Sequence, residues 1–156
     1  MTDPATDPGA DPGADPGAEP APHRLGLRVY YEDTDMAGVV YYANYLKYLE
    51  RGRSEAVRAA GIDQTAMRAA GVVFVVRRIA AEYLRPARFD DLITVETRVL
   101  SITGARIGME QTVMRKDDTL LTADLTLACM TLDGQVLRIP PDLRAKLAVG
   151  WAGRSG

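Results

Sequence analysis

Histidine and cysteine are almost missing from this chain, which has one of each, His23 and Cys129. A lone cysteine excludes an internal disulfide and any multi-cysteine metal site. A single histidine, set in the low-complexity N-terminal tail, argues against Ser-His-Asp and Cys-His hydrolysis and against the common histidine zinc sites. No apolar run approaches the length that crosses a bilayer. The N-terminus is acidic rather than basic, which does not fit a secretory or transit leader. Nucleic acid would call for a far denser basic patch than this sequence offers. The expectation is a soluble, cytoplasmic protein with no metal, no cofactor and no nucleic-acid partner. If it is an enzyme, its acid and base groups are carboxylates, supported by tyrosine, lysine or backbone dipoles.

What is present fits one domain, because 156 residues at 47% hydrophobic content suffice for one core and are too few for two of ordinary size. Residues 3–22 drift through a tetrapeptide pattern, Asp-Pro-Gly-Ala at Asp7, Asp11 and Asp15, with looser copies at Asp3 and Glu19. Such a stretch has no large apolar side chain to offset the entropy of ordering it. Residues 1–23 are therefore expected to be a disordered, linker-like tail, residues 24–150 the folded domain and residues 151–156 a flexible end. Setting aside the tail's five acids turns the formal charge of −2 into +3 for the rest. A slightly basic body suits a small anionic ligand.

The body begins with a strand, Leu25 to Tyr31, and an acidic turn, Glu32 to Gly38. Tyr42, Tyr45, Leu46, Leu49, Gly52, Ala56, Val57 and Ala60 then recur at three- and four-residue steps, predicting a helix from about residue 41 to Ala60 with Gly61 as its stop. Gly52 on its buried face permits close approach to a sheet. A short helix, Asp63 to Ala70, precedes four long strands: Val72 to Leu84, Leu92 to Ile102, Ala105 to Arg115 and Leu120 to Leu132. Alternation in the last of these, and the short connections between all four, mark an antiparallel sheet with one buried face. Val136 to Pro140 and a helix from Pro141 to Val149 complete an α+β arrangement, one long helix wrapped by a curved five-stranded sheet.

Chemistry is expected where the first strand, the acidic turn and the long helix meet. Backbone N–H groups at a helix start lack intrahelical partners and carry the positive end of the helix dipole. An acid just before them places a carboxylate beside an oxyanion site, so Asp35 could attack a bound carbonyl or deprotonate a water there. That suggests acyl transfer. Asp35 would serve equally as a turn or cap residue on sequence alone. Asp33 and Glu32 read as solvated or turn-forming, Asn44 as capping or orienting the turn, and Tyr41, Tyr45 and Tyr48 as helix packing. Cys129 reads as a small core residue.

The run Tyr-Glu-Asp-Thr-Asp-Met-Ala-Gly-Val-Val-Tyr-Tyr-Ala-Asn-Tyr, followed by Leu-Glu-Arg-Gly-Arg-Ser-Glu, resembles the signature of hotdog-fold acyl-CoA thioesterases. Within them it is most similar to the 4-hydroxybenzoyl-CoA thioesterase type and its Tol-Pal-associated branch. The resemblance spans about Leu25 to Leu147 and includes the Tyr83-Leu84-Arg85-Pro86-Ala87 turn and the Arg138-Ile139-Pro140 ending. It implies that Asp35 is the catalytic carboxylate and that the Tyr42 backbone N–H polarises the thioester carbonyl. Ala37-Gly38 would let the turn reverse closely, and Val39 and Val40 would line the acyl site. Tyr42 stands where many Tol-Pal-branch members have histidine, which leaves the backbone role intact. Coenzyme A carries phosphates, so Arg85, Arg88, Arg106 and Arg138 are its candidate partners. The resemblance further implies a homodimer or homotetramer with the site at the subunit interface. Competing readings are an acyl-thioester dehydratase, disfavoured by the missing histidine, and an idle acyl-CoA-binding or scaffold protein of a cell-envelope assembly.

Overall fold

The computed structural model describes residues 21–152, so the expected tail falls almost wholly outside the described residues. Its elements are β1 (His23–Arg28), α1 (Asn44–Ala59), α2 (Gln64–Ala69), β2 (Val72–Tyr83), β3 (Leu92–Ile102), β4 (Arg106–Arg115), β5 (Asp118–Thr131) and α3 (Pro141–Ala152). Three boundaries move outward from expectation, β5 for one beginning at Asp118 rather than Leu120. His23 belongs to β1, paired opposite Thr97, rather than to the tail. The last helix continues past Val149 to Ala152. Among the described residues no helix is long and apolar enough to cross a membrane.

The five strands form one antiparallel sheet in the order β1-β3-β4-β5-β2, so the first two strands of the chain are its two edges. Two-residue periodicity sorts the central strands: Ile93, Val95 and Thr97, then Ile107, Met109, Gln111 and Val113, then Leu121, Ala123, Leu125, Leu127 and Cys129 point to the covered face. Their alternates carry Thr112, Thr122, Thr126, Glu96, Arg98, Glu110 and Asp124 on the other face. Cys129 is a buried core residue, as expected, and burial pushes its thiol up.

Helix α1 covers the inner face with Tyr45, Tyr48, Leu49, Gly52, Ala56 and Val57. The expected stripe is therefore rotated at its start. Tyr42 and Leu46 are exposed, while Tyr48, expected to pack, is buried. The cause is that the helix begins at Asn44, so Tyr42 lies in the turn before it. Gly52 does permit close approach: a Cβ built there would lie 2.4 Å from Val95 Cγ1 and 3.3 Å from Gln111 Nε2. Gln111, fully buried, donates to the Leu49 carbonyl at 2.9 Å and to Thr97 Oγ1 at 2.9 Å, tying helix to sheet. Gly61, with φ of +87°, follows the helix end. Asp63 caps α2 by accepting from the Thr65 and Ala66 N–H groups.

Candidate active site

The acidic turn leaves β1 as a single 3-10 turn, Tyr31–Asp33, and then closes on itself as a small hairpin in which Thr34 bridges Val40. The Asp35 N–H donates to the Val39 carbonyl at 2.9 Å and the Gly38 N–H to the Asp35 carbonyl at 3.0 Å. Gly38 supports the reversal with φ of +79°, a conformation that costs glycine little. Asp35 is exposed, and its Oδ1 accepts from the Ala37 N–H at 2.9 Å and more weakly from the Val39 N–H at 3.4 Å. No donor among the described residues reaches Oδ2.

Running alongside is the segment that enters α1. The Tyr41 N–H donates to the Asp33 carbonyl at 3.0 Å, and the Tyr41 carbonyl accepts from the Asn44 N–H at 2.8 Å. The N–H groups of Tyr42 and Ala43 have no acceptor among the described residues, as expected for peptides that precede the first helical turn. An exposed carboxylate oxygen near the tip of the hairpin and a pair of unsatisfied donors just past its paired residues thus belong to one short segment. That is the combination acyl chemistry at a carbonyl needs.

A third segment, Leu84 to Asp91, backs the hairpin. The Val40 N–H donates to the Ala87 carbonyl at 2.8 Å, and Val39 bridges Arg88. This segment is itself pinned from below. Tyr45 Oη accepts from the Ala87 N–H at 2.9 Å, and Arg115 Nη1 reaches both the Pro86 carbonyl at 3.1 Å and Asp91 Oδ2 at 2.7 Å. Partial burial pushes the Asp91 carboxyl up, but the Arg88 N–H and the Arg115 guanidinium outweigh it, so its pKa lies below the ordinary carboxylate value.

Tyrosines surround the helix start. Tyr83, at the end of β2, donates its hydroxyl to the Tyr42 carbonyl at 2.9 Å, and its ring meets those of Tyr42 and Tyr45 edge-on at 6.3 and 5.4 Å. Burial pushes the phenols of Tyr45, Tyr48 and Tyr83 up, most for Tyr48, where the Asp33 carboxylate adds to the effect. All three remain protonated at neutral pH, so none serves as a base. Tyr45 and Tyr48 are packing residues, as the helical spacing implied, whereas Tyr41 is exposed.

The structure brings some expected residues together and not others. Asp35, Gly38, Val39 and the Tyr42 backbone share the hairpin, and Arg88 adjoins it. Val40 does not line an open acyl site: it is buried in the core at 4% exposure because its backbone is locked to Ala87. Arg85 pairs with Asp118 at 3.2 Å, near the same end of the sheet. Arg106 begins β4 and lies at the opposite end from Arg115, about 30 Å away along a ten-residue strand. Arg138 accompanies Arg106 there, close to Gly104. Within one subunit these two do not reach the Asp35 turn. Asp33 is more than a solvated acid, since Oδ2 accepts from the Tyr30 N–H at 2.8 Å and its carbonyl serves two donors. Sequence reasoning missed Arg115 and the hydroxyl of Tyr83. An arginine ending an alternating strand carries no local sign of the loop it will hold. Among the described residues no cluster of His, Cys, Asp or Glu could hold a metal ion.

Residues 29–147 match the model of the thioesterase-like superfamily. The chain is 41% identical over 108 residues to the acyl-CoA thioester hydrolase YbgC of Escherichia coli O157:H7, covering 69% of this chain and 81% of that one. It is 44% identical over 107 residues to the acyl-CoA thioesterase YbgC of Haemophilus influenzae, covering 68% and 79%. Among solved structures, the probable thioesterase from Bartonella henselae superposes with a TM-score of 0.74 at 41% identity, over 77% of this chain and all of that one.

Proposed function

The chain belongs to the thioesterase-like superfamily, and from that premise we propose an acyl-CoA thioester hydrolase in which Asp35 carries the chemistry. The observation behind this assignment is the juxtaposition in the hairpin. One oxygen of Asp35 is engaged by its own turn while the other is unclaimed, and the same short segment, a few residues on, carries the unsatisfied N–H groups of Tyr42 and Ala43. A thioester oxygen hydrogen-bonded to the Tyr42 N–H would have its carbonyl polarised, and the negative charge that develops there would meet a preorganised donor. Asp35 then either attacks the carbonyl carbon, expelling the CoA thiolate and leaving an anhydride for water to cleave, or removes a proton from the attacking water. Enzyme-derived oxygen in the product of a single turnover in ¹⁸O-water would mark the first route.

Thiol release from a panel of acyl-CoAs tests the reading. Asp35→Asn should lose about two orders of magnitude or more in turnover with its fold intact; near-normal turnover would place the chemistry elsewhere. A catalytically idle acyl-CoA binder would show saturable binding with no thiol release by the wild-type protein.

We also propose that the enzyme is a homodimer, or a homotetramer built from such dimers, with β2 as the joining edge. Residues 76–83 of β2 are exposed, including Val76, Ile79 and Tyr83, and exposed Leu46 and Tyr42 lie on α1 and its entry. Long apolar edges are aggregation-prone unless paired. Antiparallel pairing of two β2 edges would carry one subunit's far sheet end toward its partner's hairpin, the route by which Arg106 or Arg138 could reach the CoA phosphates alongside Arg85 and Arg88. Activity regained on mixing Asp35→Ala chains with Arg106→Ala chains supports this; a fully active monomer by light scattering refutes it. The motif resemblance also supports a cytoplasmic enzyme associated with the Tol-Pal envelope assembly, which cell fractionation and co-purification would check.

A further inference from the structure

Asn44 is the first residue of α1, one place past the cap residue Ala43, and a capping asparagine would accept a hydrogen bond from the helix. Here it donates instead. Its Nδ2 reaches the Asp33 carbonyl at 2.9 Å, eleven residues back, in a half-buried setting. That same carbonyl accepts the Tyr41 N–H at 3.0 Å, and the Tyr41 carbonyl accepts the backbone N–H of Asn44 at 2.8 Å. One residue therefore holds both ends of the Tyr41 unit. Its main chain fixes the carbonyl of the Tyr41–Tyr42 peptide, so the N–H of that peptide, the Tyr42 donor, must point the opposite way. Its side chain fixes the peptide that leads into Thr34 and Asp35.

We propose that Asn44 is a positioning residue that sets the Asp35 carboxylate and the Tyr42 N–H in register with each other. The inference rests on the assignment of Asp35 and Tyr42 made above. The Asp33 carboxylate also faces the Tyr48 hydroxyl, but Tyr48 lies a turn further along α1. That carboxylate, which takes the Tyr30 N–H on Oδ2, only accepts hydrogen bonds, so it cannot donate to the Asp33 carbonyl in place of the amide. Without the amide, the Asp33 carbonyl keeps only the Tyr41 N–H, and the hairpin can slide against the helix start. Misplacement by about 1 Å costs up to about a hundredfold in rate when catalytic groups must act together.

Asn44→Asp is the discriminating variant. It is isosteric and places an acid at the first helical position, which the helix dipole favours, but it replaces the donor by a carboxylate that repels the Asp33 carbonyl. Asn44→Ala removes the donor without adding charge. The readouts are kcat and KM on one acyl-CoA substrate and the thermal midpoint, with Asp35→Asn run in parallel. The expected result is a fall in kcat of about ten- to a hundredfold in both variants, KM within about threefold of wild type, and an Asn44→Asp midpoint within a few degrees of wild type. A role confined to helix stability would instead leave the Asp variant near full turnover. Wild-type kcat in either folded variant overturns the proposal while leaving the assignment of Asp35 standing. Full turnover in Asp35→Asn overturns both.

Discussion

Gly52→Ala tests the closeness of α1 to the sheet, on which the position of the whole helix start depends. The added Cβ would lie 2.4 Å from Val95 Cγ1 and 3.1 Å from Val95 Cβ, about 1 Å inside ordinary contact for the nearer atom. Val95 has no room to yield. It is fully buried, β-branched and therefore stiff at χ1, and paired on both sides, to Leu25 and to Val113. The helix must lift instead, and Gln111, whose Nε2 is 3.3 Å from the new methyl, would lose good geometry to the Leu49 carbonyl. Overpacking of this kind costs about 1–3 kcal/mol and a weakened hydrogen bond about 1 kcal/mol, while alanine returns about 1 kcal/mol of helix propensity. The net loss is about 2 kcal/mol, or about 6–10 °C in thermal midpoint for a domain of this size. Differential scanning calorimetry of Gly52→Ala should show that drop. Gly26→Ala serves as control, since its Cβ meets nothing within 4 Å on the exposed side of β1, and it should leave the midpoint unchanged or slightly raised. An unchanged or higher midpoint in Gly52→Ala would refute the account of the helix–sheet contact.

The Arg115–Asp91 tie should show in acid. Because the folded-state pKa of Asp91 is depressed, its contribution is present above the unfolded value of about 3.9 and is lost as pH falls through the folded value. Asp91→Asn should therefore lower the thermal midpoint at pH 7, by an amount corresponding to about 1–3 kcal/mol, and the gap to wild type should shrink near pH 3; a gap independent of pH would count against the ion pair. Tyr83→Phe removes the hydrogen bond to the Tyr42 carbonyl and should cost about two- to tenfold in turnover. Wild-type kinetics in that variant would show that the bond does not help hold the donor. Tyr42→Phe should be nearly silent, since its phenol is exposed and the main-chain N–H is the proposed donor; a loss of a hundredfold would assign the role to the hydroxyl.

Much of this molecule was legible in its sequence because the signals were local. Alternation in Leu121, Ala123, Leu125, Leu127 and Cys129 states which face of β5 is buried, whatever the strand pairs with. Gly61 and Gly38 mark backbone reversals that other residues adopt at a cost, and Gly52 marks a close approach. The order of strand, acidic turn, long helix and four strands, with the motif from Tyr31 to Tyr45, was enough to imply the hotdog architecture and to single out Asp35. What local signals could not convey is which distant segments meet. The helix periodicity extended naturally through Tyr42, but the Asp33 carbonyl captures the Tyr41 N–H and delays the helix to Asn44, leaving Tyr42 and Ala43 with unsatisfied donors. Nothing near Arg115 in the chain indicates that it will hold Pro86 and Asp91, and nothing near Arg106 indicates that it will stand at the far end of the sheet. Those facts follow from strand order and from hydrogen bonds between residues far apart in the chain. Such bonds form only once the chain has closed around its core, so tertiary structure alone decided them.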